Sequence, residues 1–161
     1  MIVTNIEKEK NKEEKRILLV DDEQDVLLTF QLILVHEGFK VYPFENPLDA
    51  LASFKSGLYD LAILDIKMPK MDGFQLYEEI KKIDCSVKVC FITAAAAAAA
   101  ASEEIYQYHE ITEENDGENA GQKPKQKQQQ QYCELQKTMF LKKPISNGDL
   151  VKEVNKIINV N

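Results

Sequence analysis

Cysteine is scarce and poorly placed for metal or redox chemistry. Cys85, Cys90 and Cys133 form no CxxC pair and no metal-like cluster. An odd count fits a disulfide framework poorly, so reduced thiols are expected. Long apolar runs are also missing, and no window approaches the ~18 residues of a membrane span. The opening stretch, MIVTNIEKEKNKEEK, holds no apolar signal core. A cytoplasmic chain with no membrane partner is therefore expected. Cationic charge is in deficit, with 20 Lys and Arg against 27 Asp and Glu and a net charge of −7. That balance argues against nucleic acid as a partner. The histidines, His36 and His109, stand in no metal or catalytic setting.

What is present is enough for one domain with a real core: 161 residues, 44% of them hydrophobic. Residues 1–15 carry charge without an apolar stripe and read as a flexible tail. The domain then runs over 16–161. RILLV (16–20), KVYPF (40–44), LAILD (61–65), VKVCFIT (87–93) and TMFL (138–141) read as strands. Helices are expected between them. The first carries Val26, Leu27, Phe30, Ile33 and Leu34 at helical spacing and stops at Gly38. The second starts at Asn46-Pro47 and closes at Gly57, and the third is GFQLYEEIKKI. The last is SNGDLVKEVNKII, with Ser146 and Asp149 spaced as a capping box. Alternation of strands and helices, with continuously apolar strands, implies an α/β fold: a doubly wound parallel sheet with helices on both faces. Residues 94–137 interrupt the pattern with eight alanines (94–101), a helical-looking SEEIYQYHEITEE and a polar, glutamine-rich stretch.

In such sheets the binding crevice lies at the carboxyl ends of the strands. Those ends carry Asp21-Asp22, Asp65, Thr93 and Lys143. Three carboxylates in one crevice repel one another, and a hard divalent cation such as Mg2+ relieves that. Lys143 and the Thr93 hydroxyl complete a pocket for a phosphoryl group. An aspartate can accept such a group covalently, with metal and lysine offsetting the charge on the transferring oxygens. Each piece alone has a plainer reading: a strand end, a helix cap, a surface lysine. Their common register favours the site.

The motifs LVDDE (19–23), LDIKMPKMDG (64–73), FIT followed by alanine (91–94) and FLKKP (140–144) resemble those of response-regulator receiver domains of two-component signalling. The resemblance covers 16–93 and 138–159. It implies a flavodoxin-like five-stranded sheet of order 2-1-3-4-5. It implies Asp65 as phosphoacceptor, Asp22 as direct Mg2+ ligand, Asp21 as the acid holding metal through water, and Lys67 as the donor of a backbone carbonyl to the metal. Thr93 matches the switch hydroxyl, Ala94 the small residue that admits the phosphoryl group, and Lys143 the lysine, with a cis bond at Lys143-Pro144. Phe140 matches the aromatic switch residue. The implied donor is a histidine kinase or a histidine phosphotransfer protein. The implied output is an unidentified protein, controlled through the surface near the fourth and fifth strands and the helices after them. The chain departs from the family between Thr93 and Lys143, 50 positions apart, roughly twice the usual interval. The surplus lies where a fourth helix belongs.

A stand-alone receiver that catalyses only its own phosphorylation and dephosphorylation is therefore expected, since no effector follows. The alternative is a scaffold that keeps the fold but does not switch. A phosphohydrolase using an aspartyl phosphate is disfavoured, because Lys67, not an acid, stands two positions after Asp65. A flavin site is disfavoured because Asp21-Asp22 would repel the flavin phosphate.

Overall fold

The computed structural model describes residues 14–94 and 139–159. The tail over 1–13, the alanine run beyond Ala94, the glutamine-rich stretch, His109 and Cys133 lie outside the described residues. Strands β1 (Arg16–Val20), β2 (Lys40–Phe44), β3 (Leu61–Asp65), β4 (Lys88–Ala94) and β5 (Met139–Lys143) alternate with helices α1 (Gln24–His36), α2 (Pro47–Ser53) and α3 (Gly73–Ile83), and α4 (Asn147–Asn159) follows β5. The strands form one five-stranded sheet in the order β2-β1-β3-β4-β5, and each adjacent pair is parallel. This is the expected 2-1-3-4-5 order.

Burial explains the order. All five residues of β3 are buried, as a central strand covered on both faces requires. β2 has no buried residue and takes an edge, where Pro43 is tolerated because a proline cannot donate to the ladder. Side chains alternate across the sheet. Ile17, Leu19, Leu61, Ile63, Cys90, Ile92 and Leu141 pack with Leu27, Phe30 and Leu34 of α1 and Leu150, Val154 and Ile157 of α4. Leu18, Val20, Ala62, Leu64, Val89 and Phe91 pack on the other face with Ala50 of α2 and Leu76 and Ile80 of α3. Each fully buried leucine or isoleucine contributes roughly 1.5–3 kcal/mol relative to exposure.

The helix ends follow local chemistry. After α1, Gly38 adopts φ +89°; its N–H donates to Val35 (3.0 Å) and that of Phe39 to Leu34 (3.1 Å). This pairing satisfies the last carbonyls and folds Phe39 back onto the core. Asn46 caps α2 by accepting from the Leu48 N–H at 3.1 Å. This helix stops at Ser53, four residues before the glycine expected to close it. Gly57, at φ +71°, instead serves a later turn, where its N–H donates to Asp84 (2.7 Å) and its carbonyl accepts from Arg16 (3.1 Å). α3 has a full capping box, unexpected from the sequence: Asp72 accepts from the Gln75 N–H (2.8 Å) and Gln75 from the Asp72 N–H (3.1 Å). At α4 half of the expected box forms. The Asp149 N–H donates to Ser146 Oγ at 3.1 Å, while Oγ itself donates to the Asp149 carboxylate at 2.6 Å.

β5 runs two residues past the expected end, so Lys143 is the last residue of a strand, and the Lys143-Pro144 peptide is cis. Cys90 is a buried free thiol, its pKa pushed up to about 12 by burial. Cys85, contrary to the reduced-thiol expectation, is disulfide-bonded.

Gly73 joins the fold to the site. Its N–H donates to the Ile66 carbonyl at 2.9 Å. A Cβ there would lie 2.3 Å from the Asp65 carbonyl oxygen and 3.0 Å from Ile66 Cα. Backbone stands on both sides of that contact, so the loop cannot yield cheaply. Gly73→Ala is expected to destabilise the protein by roughly 3 kcal/mol, read as a lower urea midpoint with an unchanged slope.

Candidate functional site

Parallel register gathers the charged residues at one end of the sheet. Val20 pairs with Leu64, so Asp21 and Asp65 occupy the next level of adjacent strands. Asp65 pairs with Ile92, Thr93 with Lys142 and Ala94 with Lys143. Asp21, Asp22 and Asp65 each present a carboxylate oxygen, and these three atoms lie within 4.8 Å of one another. Asp21 is fully buried and Asp65 only 5% exposed, while Asp22 is exposed.

Lys143 crosses from β5 into this cluster. Its Nζ donates to Asp21 Oδ2 at 2.6 Å and to Glu23 Oε1 at 3.2 Å, and it lies 3.3 Å from Asp65 Oδ1. The other oxygen of Asp21 accepts from the Glu23 N–H at 2.9 Å. One ammonium therefore faces three carboxylates, with Asp22 close by.

That imbalance appears in the proton affinities. Burial pushes Asp65 up to about 6, and Asp21 and Asp22 add to the rise while Lys143 opposes it. Burial also raises Asp21, against the bonds from Lys143 and the Glu23 N–H. For Lys143 burial works against the charge, but Asp21, Asp65 and Glu23 outweigh it and hold the ammonium above its ordinary value. Carboxylate oxygens with a local excess of negative charge form a donor set suited to a hard, oxygen-seeking cation. An open cleft of about 480 Å3 adjoins the cluster, lined by Asp22, Ile66, Lys67, Met68, Pro69, Asp72 and Phe74.

The remaining candidates fall around this centre. Thr93 is buried near the end of β4, and Ala94 after it is exposed. Lys67 is exposed on the loop lining the cleft, where Lys70 takes φ +73° and Met68 and Met71 pack on the core. Phe140 is partly buried and stacks on Phe91, its register partner, with centroids 5.4 Å apart. His36 ends α1 on the surface, 3.4 Å from Glu37. The motif resemblance gives Glu23 no role. Its one signal is its place directly before α1, where Ser, Thr, Asp or Asn is the usual cap.

A profile of the response regulator receiver domain matches residues 17–109, more than half of the chain. The chain belongs to this receiver family. β5 and α4 lie beyond the matched residues, yet they complete the receiver sheet and its second face. The chain is 40% identical over 68 residues to the regulatory protein VanRc of Enterococcus gallinarum, a match covering 42% of this chain and 29% of that protein. It is 39% identical over 80 residues to the chemotaxis protein CheY of Bacillus subtilis, covering 49% of this chain and 67% of that one. A receiver domain from Clostridium thermocellum superposes with a TM-score of 0.64 at 24% identity, over 90% of this chain and 94% of that one. The match spans about a third of the length of the first curated relatives to which the chain is similar. Receiver domains are signalling modules of two-component systems, and no described helix of this one is long and apolar enough to cross a membrane.

The raised pKa of Asp65 makes a stability prediction for the metal-free protein. An unfolded aspartate titrates near 3.9 and Asp65 when folded near 6. The folded state therefore binds the extra proton between those values. Its contribution to stability is fully present below about pH 4 and is lost as pH rises through about 6. Asp65→Asn removes this dependence. In chelator, the variant is expected to be more stable than the wild type by about 2 kcal/mol at pH 7.5 and to lose that advantage near pH 4. Urea unfolding at several pH values measures the difference.

Proposed function

We propose that Asp65 is the phosphoacceptor of a two-component switch. The observation carrying this reading is the nearly buried Asp65 carboxylate, set among Asp21, Asp22 and the Lys143 ammonium at the end of β3. Asp65 titrates near 6, so it is mostly ionised and nucleophilic at neutral pH. A phosphohistidine on a histidine kinase or histidine phosphotransfer protein supplies the group. An Asp65 oxygen forms the new bond to phosphorus, the P–N bond breaks, and the imidazole leaves with the bonding pair. Asp21, Asp22, Asp65 and the Lys67 carbonyl are the groups that would hold Mg2+. When bound, Mg2+ neutralises charge on the transferring oxygens and orients them for in-line attack.

The chain's own residues do the rest. Lys143 offers its ammonium to the phosphoryl oxygens. Thr93 turns its hydroxyl toward them, and the small Ala94 side chain leaves the approach open. Phe140 follows into the space that Thr93 vacates, changing the surface beside β4 and β5. That is a local charge event biasing a two-state element. Water returns the domain to rest by hydrolysing the acyl phosphate. Output passes to a protein partner in the cytoplasm that reads the altered surface.

Purified protein is expected to gain one phosphoryl group from acetyl phosphate, read by intact mass, only with Mg2+ present and not in Asp65→Asn. Hydrogen exchange over residues 139–145 is expected to change on phosphorylation. Absence of the mass gain in folded protein would overturn the reading. A gain with unchanged exchange would select the non-switching scaffold.

A further inference from the structure

Glu23 is used in a way its position does not call for. It occupies the residue before α1, with extended backbone angles (φ −93°, ψ 107°), yet its side chain makes no capping bond. It reaches instead across the mouth of the site to Lys143 at 3.2 Å. Three contacts then close a ring. Asp21 Oδ1 accepts from the Glu23 N–H (2.9 Å), Asp21 Oδ2 accepts from Lys143 Nζ (2.6 Å), and Glu23 Oε1 accepts from the same Nζ. Two of the three carboxylates on Lys143 therefore belong to the segment after β1, and both are nearer to Nζ than Asp65 is at 3.3 Å.

We propose that Glu23 is a positioning residue, which holds Lys143 on the β1 side of the resting site and must release it when Asp65 is phosphorylated. The inference rests on the phosphoacceptor reading above. Lys143 can serve the phosphoryl group only by leaving this ring, at least in part. Asp21 is buried and fixed. Glu23 is mostly exposed, so its hold is a weak, releasable ion pair of the kind that shifts an equilibrium by at most roughly fivefold. A tether of that strength biases Lys143 without trapping it. Freed of Lys143, Glu23 also returns one negative charge to solvent as the phosphoryl group adds its own.

The test separates reach from charge. Glu23→Gln keeps the length and removes the charge. Glu23→Asp keeps the charge, shortens the side chain and favours the N-cap of α1. Phosphorylation by acetyl phosphate with Mg2+ is timed for both variants and the wild type, at low and high salt. Both variants are expected to react about threefold faster than the wild type at low salt, with the gain shrinking at high salt as the exposed pair is screened. In the metal-free protein, the Lys143 ammonium protons, followed by NMR, are expected to exchange with water faster in both variants. Should Glu23→Asp match the wild type while Glu23→Gln is faster, the effect is through-space repulsion of the donor and the tether is wrong. Unchanged Lys143 exchange in both variants also overturns it. If the wild type takes up no phosphoryl group, the phosphoacceptor reading fails and the release step falls with it. Normal uptake with unaltered variants refutes the tether alone.

Discussion

The Lys143 ammonium makes it possible to bury Asp21 and Asp65 next to each other. It lies 2.6 Å from one and 3.3 Å from the other, and only 17% of its side chain is exposed. Removing a carboxylate from water costs several kcal/mol unless the charge is paired and hydrogen-bonded. Asp21 has that compensation, with Lys143 on one oxygen and the Glu23 N–H on the other. Asp65 has less. It shares Lys143 at the longer distance and faces two other acids, and its pKa rises to about 6. The least compensated carboxylate is the one at the end of the central strand, the residue proposed as phosphoacceptor. A pocket tuned for stability alone would contain fewer acids or more cations.

The fold supplies this arrangement through register rather than through any single strong contact. Parallel pairing brings the carboxyl ends of β1, β3, β4 and β5 to one edge, so groups far apart in sequence converge without a long loop to carry them. Gly73 completes the convergence by letting the start of α3 sit against the Asp65 backbone. A second set of acids supports the opposite end. Asp60 is held low by the Arg16 N–H and Lys15, against the cost of its burial, and Asp84 likewise by the Gly57 N–H and Ser86. These acids have their partners, and their proton affinities fall. At the other end burial outweighs the partners of Asp21 and Asp65, and theirs rise. One sheet thus has an end where partners outweigh burial and an end where burial outweighs partners.

Much of this was legible in the sequence because it depends on short-range pattern. Apolar runs such as RILLV and LAILD mark buried parallel strands, and the acids directly after or ending them mark the site. Lys143 was legible only with its motif, since a lysine in a Lys-Lys pair has no signal of its own. The rest depends on side-chain reach. Glu23 and Lys143 are 120 residues apart, and no periodicity links them. The Asp72–Gln75 box was hidden inside MDG, which reads as a turn whether or not Gln75 folds back. The end of α2 was misplaced because a glycine marks a left-handed backbone position, which can fall in a turn beyond the helix as easily as at its cap. The surplus between Thr93 and Lys143 was visible as a departure in spacing and nothing more.

In the proposed switch, side-chain alternation along β4 decides where the signal goes. Phe91 and Thr93 are two residues apart and so share a face of the strand, with Thr93 at the phosphoryl end and Phe91 about 6.6 Å below it. Phe91 is nearly fully buried and contacts three rings: Phe140 at 5.4 Å, Phe74 at 4.8 Å and Tyr77 at 5.7 Å between centroids. Phe74 and Tyr77 belong to α3, whose first residue already presses on the Asp65 backbone. Phe140 belongs to β5, which ends at Lys143. Both groups asked to respond to phosphate, the Thr93 hydroxyl and the Lys143 ammonium, are thus anchored to strands whose aromatic residues meet at Phe91. A shift at either is felt in the same packed cluster, and packed rings change place in steps rather than continuously. Phe91 is buried while Phe140, stacked on it, is partly exposed, so of that pair Phe140 has the more freedom to move and the less burial to lose.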